Sequence, residues 1–350
     1  MSVQREYFGS TPQGDASLFT ITTKRLIAKV TDYGAVLVSL YTPDKEGHMD
    51  DIVLGFDSLE RYMDNPYCYG ASVAPSANRI AGACFEIDGA KYSIPANEGI
   101  NNLHSDKLFY KRLFQAEAGH NSVAFTLQLP DGDAGFPGNR TFVITYTLTE
   151  EELRIDYHIE SDKKTILNPT NHSYFNLSGE GSGDILDEYL QMNCAAYTPV
   201  DDGLIPTGEI RDVKGTAYDF TTGKVIGRDL ARSEEEAARG IPAGYDNNFV
   251  IDGYKGDGSL LKAAELWDPR SGRVMEVLTT LPGMQFFTAN GMVVENGKGG
   301  RTYTSSAGLA LETQFFPDSV HHANFPNTIF GEGRNYESTT IYRFGPCKNT

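Results

Sequence analysis

The chain is written in short apolar–polar alternations broken by turn residues, and this pattern narrows its architecture more than any other feature. Residues 18–22 and 26–30 are β-rich runs, and 36–41 follow a turn at Tyr33-Gly34. Residues 84–87 and 91–94 flank Asp88-Gly89, a pair that accepts the positive φ angles of a tight hairpin turn. Residues 112–118 and 122–129 form a second hairpin around Gly119-His120-Asn121, and 141–148 and 153–159 a third around Glu150-Glu151-Glu152. Residues 265–267 and 274–278 flank Pro269-Arg270-Ser271-Gly272 as a fourth. Helix signals are few. Ser233 and Glu236 make a capping box before a terminal Gly240, which predicts a short surface helix. Strands do not alternate with long amphipathic helices, so a parallel α/β sheet is excluded. The expectation is an all-β fold, a single domain over residues 1–350 forming one large antiparallel β-sandwich with few short helices.

A chain of 350 residues can bury roughly three quarters of its unfolded surface, so its core needs no staples. The formal net charge of −17 argues against nucleic-acid and anionic-membrane partners, because phosphates demand clustered Lys and Arg. No run approaches the roughly 20 apolar residues of a membrane helix. Cys68, Cys84, Cys194 and Cys347 are scattered without a zinc or thioredoxin-type spacing and read as reduced thiols. Cys84, close to Arg79, reads as a buried structural thiol. The opening residues lack the basic-then-apolar run of a signal peptide, so a cytoplasmic location is expected.

Seven histidines give a short list of candidates for acid–base chemistry. His48 and His120 lie in turns and are expected to face solvent, and His158 sits within an alternating strand. His321 and His322 follow Asp318, but adjacent histidines in a strand point to opposite faces, which argues against a metal site. His104 and His172 stand apart. His104 ends a polar loop, residues 97–104, and His172 sits in Asn168-Pro169-Thr170-Asn171-His172-Ser173-Tyr174-Phe175-Asn176-Leu177, which crowds amides, hydroxyls and an imidazole together. Such amides either bond backbone or face a ligand.

Glu312 sits inside an apolar strand in the segment of residues 308–318. It lies either on a solvated face or in the interior, where desolvation would raise its pKa toward that of a general base near neutral pH. Asn78-Arg79 and Tyr245-Asp246-Asn247-Asn248-Phe249 set planar polar groups beside aromatics, as hydroxyl-rich ligands require; Arg79 and Asp246 could equally form a structural ion pair.

Taken in order, these stretches resemble the aldose 1-epimerase (galactose mutarotase) family. The likeness runs through Asp32-Tyr33-Gly34-Ala35, residues 51–57, Asn78-Arg79-Ile80-Ala81-Gly82, Asn97-Glu98-Gly99 and Leu103-His104. It continues through residues 171–177, Tyr245-Asp246, Pro282-Gly283-Met284-Gln285 and Leu311-Glu312-Thr313-Gln314. The resemblance implies interconversion of the α and β anomers of a monosaccharide such as galactose or glucose, with no metal or organic cofactor, by a monomer or weak homodimer. It places Glu312 as general base, His172 as general acid and His104 near the ring oxygen. It assigns Arg79, Asp246 and Gln285, with the adjacent Asn78, to substrate binding.

The sequence departs from the family pattern at four places. Residues 73–77 stand where Gly-Arg is usual, Ser105-Asp106 replace two glycines, Asn247 replaces a frequent His after Tyr-Asp, and Phe315 replaces a frequent His after Gln314. The alternatives are a hexose-6-phosphate 1-epimerase of the same fold, which would need a basic cluster for the phosphate, a glycoside-processing enzyme with paired carboxylates, and a non-catalytic carbohydrate-binding protein.

Overall fold

The computed structural model of the chain describes residues 1–230 and 244–347. The helix expected over Ser233 to Gly240 lies outside the described residues. Antiparallel ladders build the molecule. A nine-stranded sheet runs in the order Gln115–Ala118, Ser122–Leu129, Arg140–Leu148, Glu152–Ser161, Tyr336–Phe344, Val274–Thr279, Leu261–Trp267, Tyr189–Met192, Lys224–Val225. A six-stranded sheet runs Tyr174–Phe175, Leu309–Gln314, Gly283–Phe287, Asp246–Val250, Ala196–Thr198, Arg211–Asp212. A five-stranded sheet takes Ser2–Thr11, Gly14–Thr22, Ile27–Thr31, Val36–Pro43 and Met49–Asp51 in chain order. Among the described residues the one α-helix is the five-residue turn Leu59–Met63. The fold is all-β and antiparallel, as the alternation predicts.

The period-two pattern explains the layers. Arg140–Leu148 and Glu152–Ser161 alternate buried with partly exposed positions. Their inward set (Phe142, Ile144, Tyr146, Ile155, Tyr157, Ile159) joins Met284, Phe286, Leu309 and Leu311 of the six-stranded sheet in one apolar cluster. Each such side chain contributes about 1.5–3 kcal/mol when taken out of water. The four expected hairpins form, for example Cys84–Ile87 on Ala90–Ser93 and Leu261–Trp267 on Val274–Thr279.

Leu309–Gln314 behaves differently: every one of its residues is buried. It is flanked on both sides by strands, and both its faces are covered. Leu309 and Leu311 point into the shared core, which leaves Ala310 and Glu312 on the opposite face. This decides between the two readings of Glu312. The side chain is in the interior, with 2% of its surface exposed.

The strand Ser2–Thr11 has no counterpart among the sequence expectations. It is mostly exposed and polar, so it carries no strong alternation. Its register shifts between Tyr7 and Gly9, and a Cβ on Gly9 would lie 2.8 Å from Leu59 Cδ2, so only glycine allows this approach to the helix.

Candidate active site

Sheet register assembles the first half of the site. Gln285 lies directly opposite Glu312, and Asn248 opposite Gln285. Two residues along, Asp246 pairs with Phe287. With a side-chain period of two, Glu312, Gln285, Phe287 and Asp246 share the face turned away from the main core. Gln285 Nε2 donates to Asp246 Oδ1 at 2.7 Å, which fixes both groups.

His172 comes from the Asn-rich segment, and the segment's amides explain how. Asn168 Nδ2 donates to the Phe315 carbonyl (3.2 Å) and Asn168 Oδ1 accepts from the Phe315 amide (2.7 Å). Thr170 Oγ1 donates to the Thr313 carbonyl at 2.9 Å. Asn171 donates to the Gly70 carbonyl and the Tyr146 hydroxyl. The amides and hydroxyls therefore bond backbone and neighbouring side chains, stitching this segment to the strand of Glu312. The imidazole is the part left for the site. His172 Nε2 ends 3.6 Å from Glu312 Oε1, and its ring stacks on Tyr174 with centroids 4.9 Å apart.

The second half rests on a short ladder between Arg79–Ile80 and Asn102–Leu103. Asn78 and His104, both at φ 56°, hold each other: the His104 amide donates to the Asn78 carbonyl, and the Asn78 amide donates to His104 Nδ1 at 3.1 Å. That bond puts the ring proton of His104 on Nε2. The amides of Asn97 and Asn102 bracket the loop by bonding the carbonyls of Leu103, Ser105 and Pro95. Left-handed backbone at a non-glycine residue costs on the order of 1–3 kcal/mol and persists where surrounding bonds dictate it.

Arg79 does not pair with Asp246. Its Nε and Nη2 bind Glu98 Oε2 and Oε1 at 2.6 and 2.9 Å, so the ion-pair alternative is corrected in favour of a Glu98 clamp. Glu98 lies in a quoted family stretch, yet sequence gave it no role. Its partner is 19 residues away across a loop, a separation that no local pattern reveals.

These elements enclose a cavity of about 160 Å³ whose wall includes Asn78, Arg79, His104, His172, Asp246, Gln285 and Glu312, so the structure brings all seven expected residues together. Lys107, Tyr174, Phe287 and Cys68 also line it and were not anticipated. Burial dominates the electrostatics. It pushes the Glu312 carboxyl well above its usual range, reinforced by the Asp246 carboxylate and opposed by Arg79. It lowers His172 to about 4 and, with the nearby cations, His104 well below the ordinary imidazole value. Asp246 is raised by burial, with Arg79 and Gln285 opposing. Two polar atoms in this wall have no hydrogen-bond partner: His172 Nδ1 and Glu312 Oε2. A buried polar atom without a partner costs about 1–3 kcal/mol, so this pair is ready for a polar ligand.

Other expectations need correction. Cys84 is exposed, because Phe85 and Ile87 take the inward positions of its strand. His321 and His322 do not lie in a strand. They sit at a 3₁₀ turn, Ser319–His321, and both rings reach Asp318, at 2.6 and 3.4 Å. Among the four departures, Phe315 packs in the core against Phe330 and Tyr336. Ser105 bonds the backbone of Ser76, within the altered stretch of residues 73–77. Asn247 instead lines a second cavity beside Asp246.

Comparison with known proteins agrees with this geometry. The family model described as Aldose 1-epimerase matches residues 17–343. Galactose mutarotase of Bos taurus is 38% identical over 348 residues, covering 98% of this chain and 99% of that protein. Aldose 1-epimerase of Escherichia coli K12 is 35% identical over 324 residues, covering 91% of this chain and 92% of that protein. The crystal structure of an aldose epimerase homologue from C. elegans superposes with a TM-score of 0.86 at 29% identity, covering 95% of this chain and all of that one.

Proposed function

The chain belongs to the aldose 1-epimerase family, and on that premise we propose that its cavity opens and recloses the ring of an aldohexose, galactose or glucose, to exchange the α and β anomers. The supporting observation is the buried pair Glu312 and His172, with His172 Nε2 3.6 Å from Glu312 Oε1 and with His172 Nδ1 and Glu312 Oε2 left without a hydrogen-bond partner.

A cyclic hemiacetal opens when the C1 hydroxyl loses a proton and the ring oxygen gains one. Glu312 takes the first proton and His172 supplies the second, as the C1–O5 bond breaks and its electrons pass to O5. This leaves a neutral carboxyl, a neutral imidazole and an open-chain aldehyde. Rotation about C1–C2 turns the other carbonyl face to O5. O5 then attacks, returning its proton to His172, while Glu312 reprotonates the anomeric oxygen. The pair carries one proton throughout. Burial favours the neutral carboxyl with the neutral imidazole, the form that accompanies the open chain, so the environment of the pair supports the intermediate. The Nε2–H of His104 donates toward the ring oxygen, and Arg79, Asn78, Asp246 and Gln285 hold the hydroxyls while C1 turns. The reaction so written uses no metal and no organic cofactor.

A neutral sugar fits better than a sugar phosphate. Arg79, the forked cation of the cavity, is already held by both oxygens of Glu98, which leaves the single amine of Lys107 and no basic cluster for a phosphate. Polarimetry of freshly dissolved α-D-galactose and α-D-glucose in weak non-phosphate buffer tests the reading. Acceleration that Glu312→Gln removes supports it; no acceleration of either sugar by folded protein overturns it. The pH profile follows from the shared proton. Activity is expected to be flat through neutrality, to fall below about pH 4 as His172 takes a second proton, and to fall at high pH only beyond the raised Glu312 value. An acid limb near neutrality would contradict this protonation scheme.

A further inference from the structure

Arg79 and Lys107 are the cations in the wall of the cavity proposed for ring opening, and they differ in what holds them. Arg79 is forked onto both oxygens of Glu98. Lys107 has no carboxylate partner among the described residues. The neighbouring Asp106 faces elsewhere: its carboxylate accepts from the Leu108 amide at 2.8 Å and lies 3.6 Å from Arg112 Nη2. The ring-opening chemistry gives Lys107 no part.

The loop that carries Lys107 is held firmly. The Lys107 amide donates to the His104 carbonyl at 3.0 Å, closing a turn in which His104, Ser105 and Lys107 stand at φ 56°, 58° and 56°. Left-handed backbone is strained at non-glycine residues and gathers at ligand clamps, where surrounding bonds dictate it. Here Ser105 Oγ donates to the Ser76 carbonyl, and Asn97 Nδ2 donates to the Ser105 carbonyl, each at 2.9 Å.

That turn decides which end of the sugar Lys107 meets. Burial above all holds the His104 ring below the usual imidazole range, and the charges that add to it are His172, Arg79 and Lys107. Glu312 answers instead to burial, Asp246 and Arg79. Lys107 therefore belongs to the His104 side of the cavity. With His104 aimed at the ring oxygen and C1 at Glu312, the next ring atom on that side is C5, and the carbon it carries is C6. An ammonium is a compact point charge with donors free to rotate. One such charge matches one carboxylate, whereas a phosphate wants a cluster. A carboxylate in place of the C6 hydroxymethyl adds a single oxygen, so a cavity of about 160 Å³ that takes a hexose also takes its uronate. The chain's formal charge of −17 repels anions, but exposed charges more than about 8–10 Å away are screened at ordinary ionic strength, and the local contact decides.

We propose that Lys107 is a specificity-determining residue that receives the C6 carboxylate of a hexuronate, so that the protein also interconverts the anomers of galacturonate or glucuronate. The carboxylate is a spectator: the bonds and protons that move are those of the neutral sugar. This rests on the reading of the cavity as the place of ring opening. The probes are freshly dissolved D-galacturonic acid neutralised to its sodium salt, its uncharged methyl ester, and galactose, each followed by polarimetry near neutral pH. The wild-type protein should accelerate galacturonate with kcat/KM about tenfold or more above that of the ester, the scale of one charged hydrogen bond. Lys107→Met keeps the length of the side chain and removes its charge. It should lower the ratio of galacturonate to galactose kcat/KM by about 10–100-fold, mostly as a raised KM for the uronate, and Lys107→Arg should restore most of that ratio. The ester comparison needs no variant and stands if Lys107→Met does not fold. Galactose turned over without galacturonate would overturn the uronate reading and spare ring opening. So would a uronate with no advantage over its ester, or a folded Lys107→Met whose ratio is unchanged. No acceleration of any sugar by folded protein would overturn both.

Discussion

The cavity proposed as the active site and a larger one beside the five-stranded sheet make an instructive contrast. The larger, about 560 Å³, is crowded with charge: Lys298, Asp51, Asp57, Glu180 and Arg301 all line it. Yet its charges answer one another. Lys298 Nζ donates to Asp51 Oδ2 and the Val53 carbonyl, each at 2.7 Å. The Gly299 amide donates to Asp57 at 2.6 Å, and Glu180 accepts from Arg301 and from the Tyr303 hydroxyl. The proposed active-site cavity is less than a third of that volume, but it leaves a carboxyl oxygen and an imidazole nitrogen unpartnered. Unfilled hydrogen-bonding capacity, and not volume, separates the proposed active site from this larger cavity.

Substitutions can break or sharpen this contrast. Glu312→Gln and His172→Asn should each lower kcat by roughly 10²–10⁴-fold, the usual contribution of a positioned proton transfer, with the folded state intact by circular dichroism. Near-normal kcat in either variant would remove that residue from the chemistry. Lys298→Met should do the reverse. It leaves Asp51 buried without its cation and should cost about 3–5 kcal/mol of stability in denaturant unfolding, with kcat unchanged; a large kcat loss would erase the distinction between the cavities. Asp246→Asn should reduce kcat/KM by roughly 10–100-fold through one weakened charged hydrogen bond, mostly as a raised KM.

The smallest effect belongs to Asp318 and His321. The hydrogen bond that His321 Nδ1 donates to the Asp318 carboxylate raises the His321 pKa. A raised imidazole gives stability that is fully present below its unfolded value of about 6.5 and is lost as pH rises through the folded value. His321→Asn should therefore cost about 0.2–1 kcal/mol near pH 5 and nothing measurable near pH 9. Equal cost at both, read from unfolding midpoints, would show that packing and not charge is at stake.

The legible part of this molecule was local. Asp88-Gly89 and the alternation of residues 141–159 announce hairpins because turn geometry and side-chain period are written in neighbouring residues. The lone carboxylate in an apolar strand and the imidazole among amides drew attention to Glu312 and His172. Their burial was not readable, because it depends on which strands flank residues 309–314, and those come from 174–175 and 283–287. The Glu98 clamp, the exposed Cys84 and the convergence of His321 and His322 on Asp318 escaped for the same reason: each depends on a partner or a turn that distant segments set. The strand Ser2–Thr11 escaped because an exposed edge needs no apolar alternation.

The place of Tyr336–Phe344 has a consequence for how the chain comes into being. This strand is the last of the described strands in chain order, yet it lies inside the nine-stranded sheet, bonded to Glu152–Ser161 on one side and Val274–Thr279 on the other. On the ribosome, Glu152–Ser161 emerges long before its partner exists. At about 5–20 residues per second it waits roughly ten seconds to half a minute with an open edge. The two halves of the sheet join only once residues 336–344 have been made, and a nascent chain must pass that interval with a template for mispairing exposed. A chaperone that shields β edges should raise the yield of this protein more than one that only speeds its release.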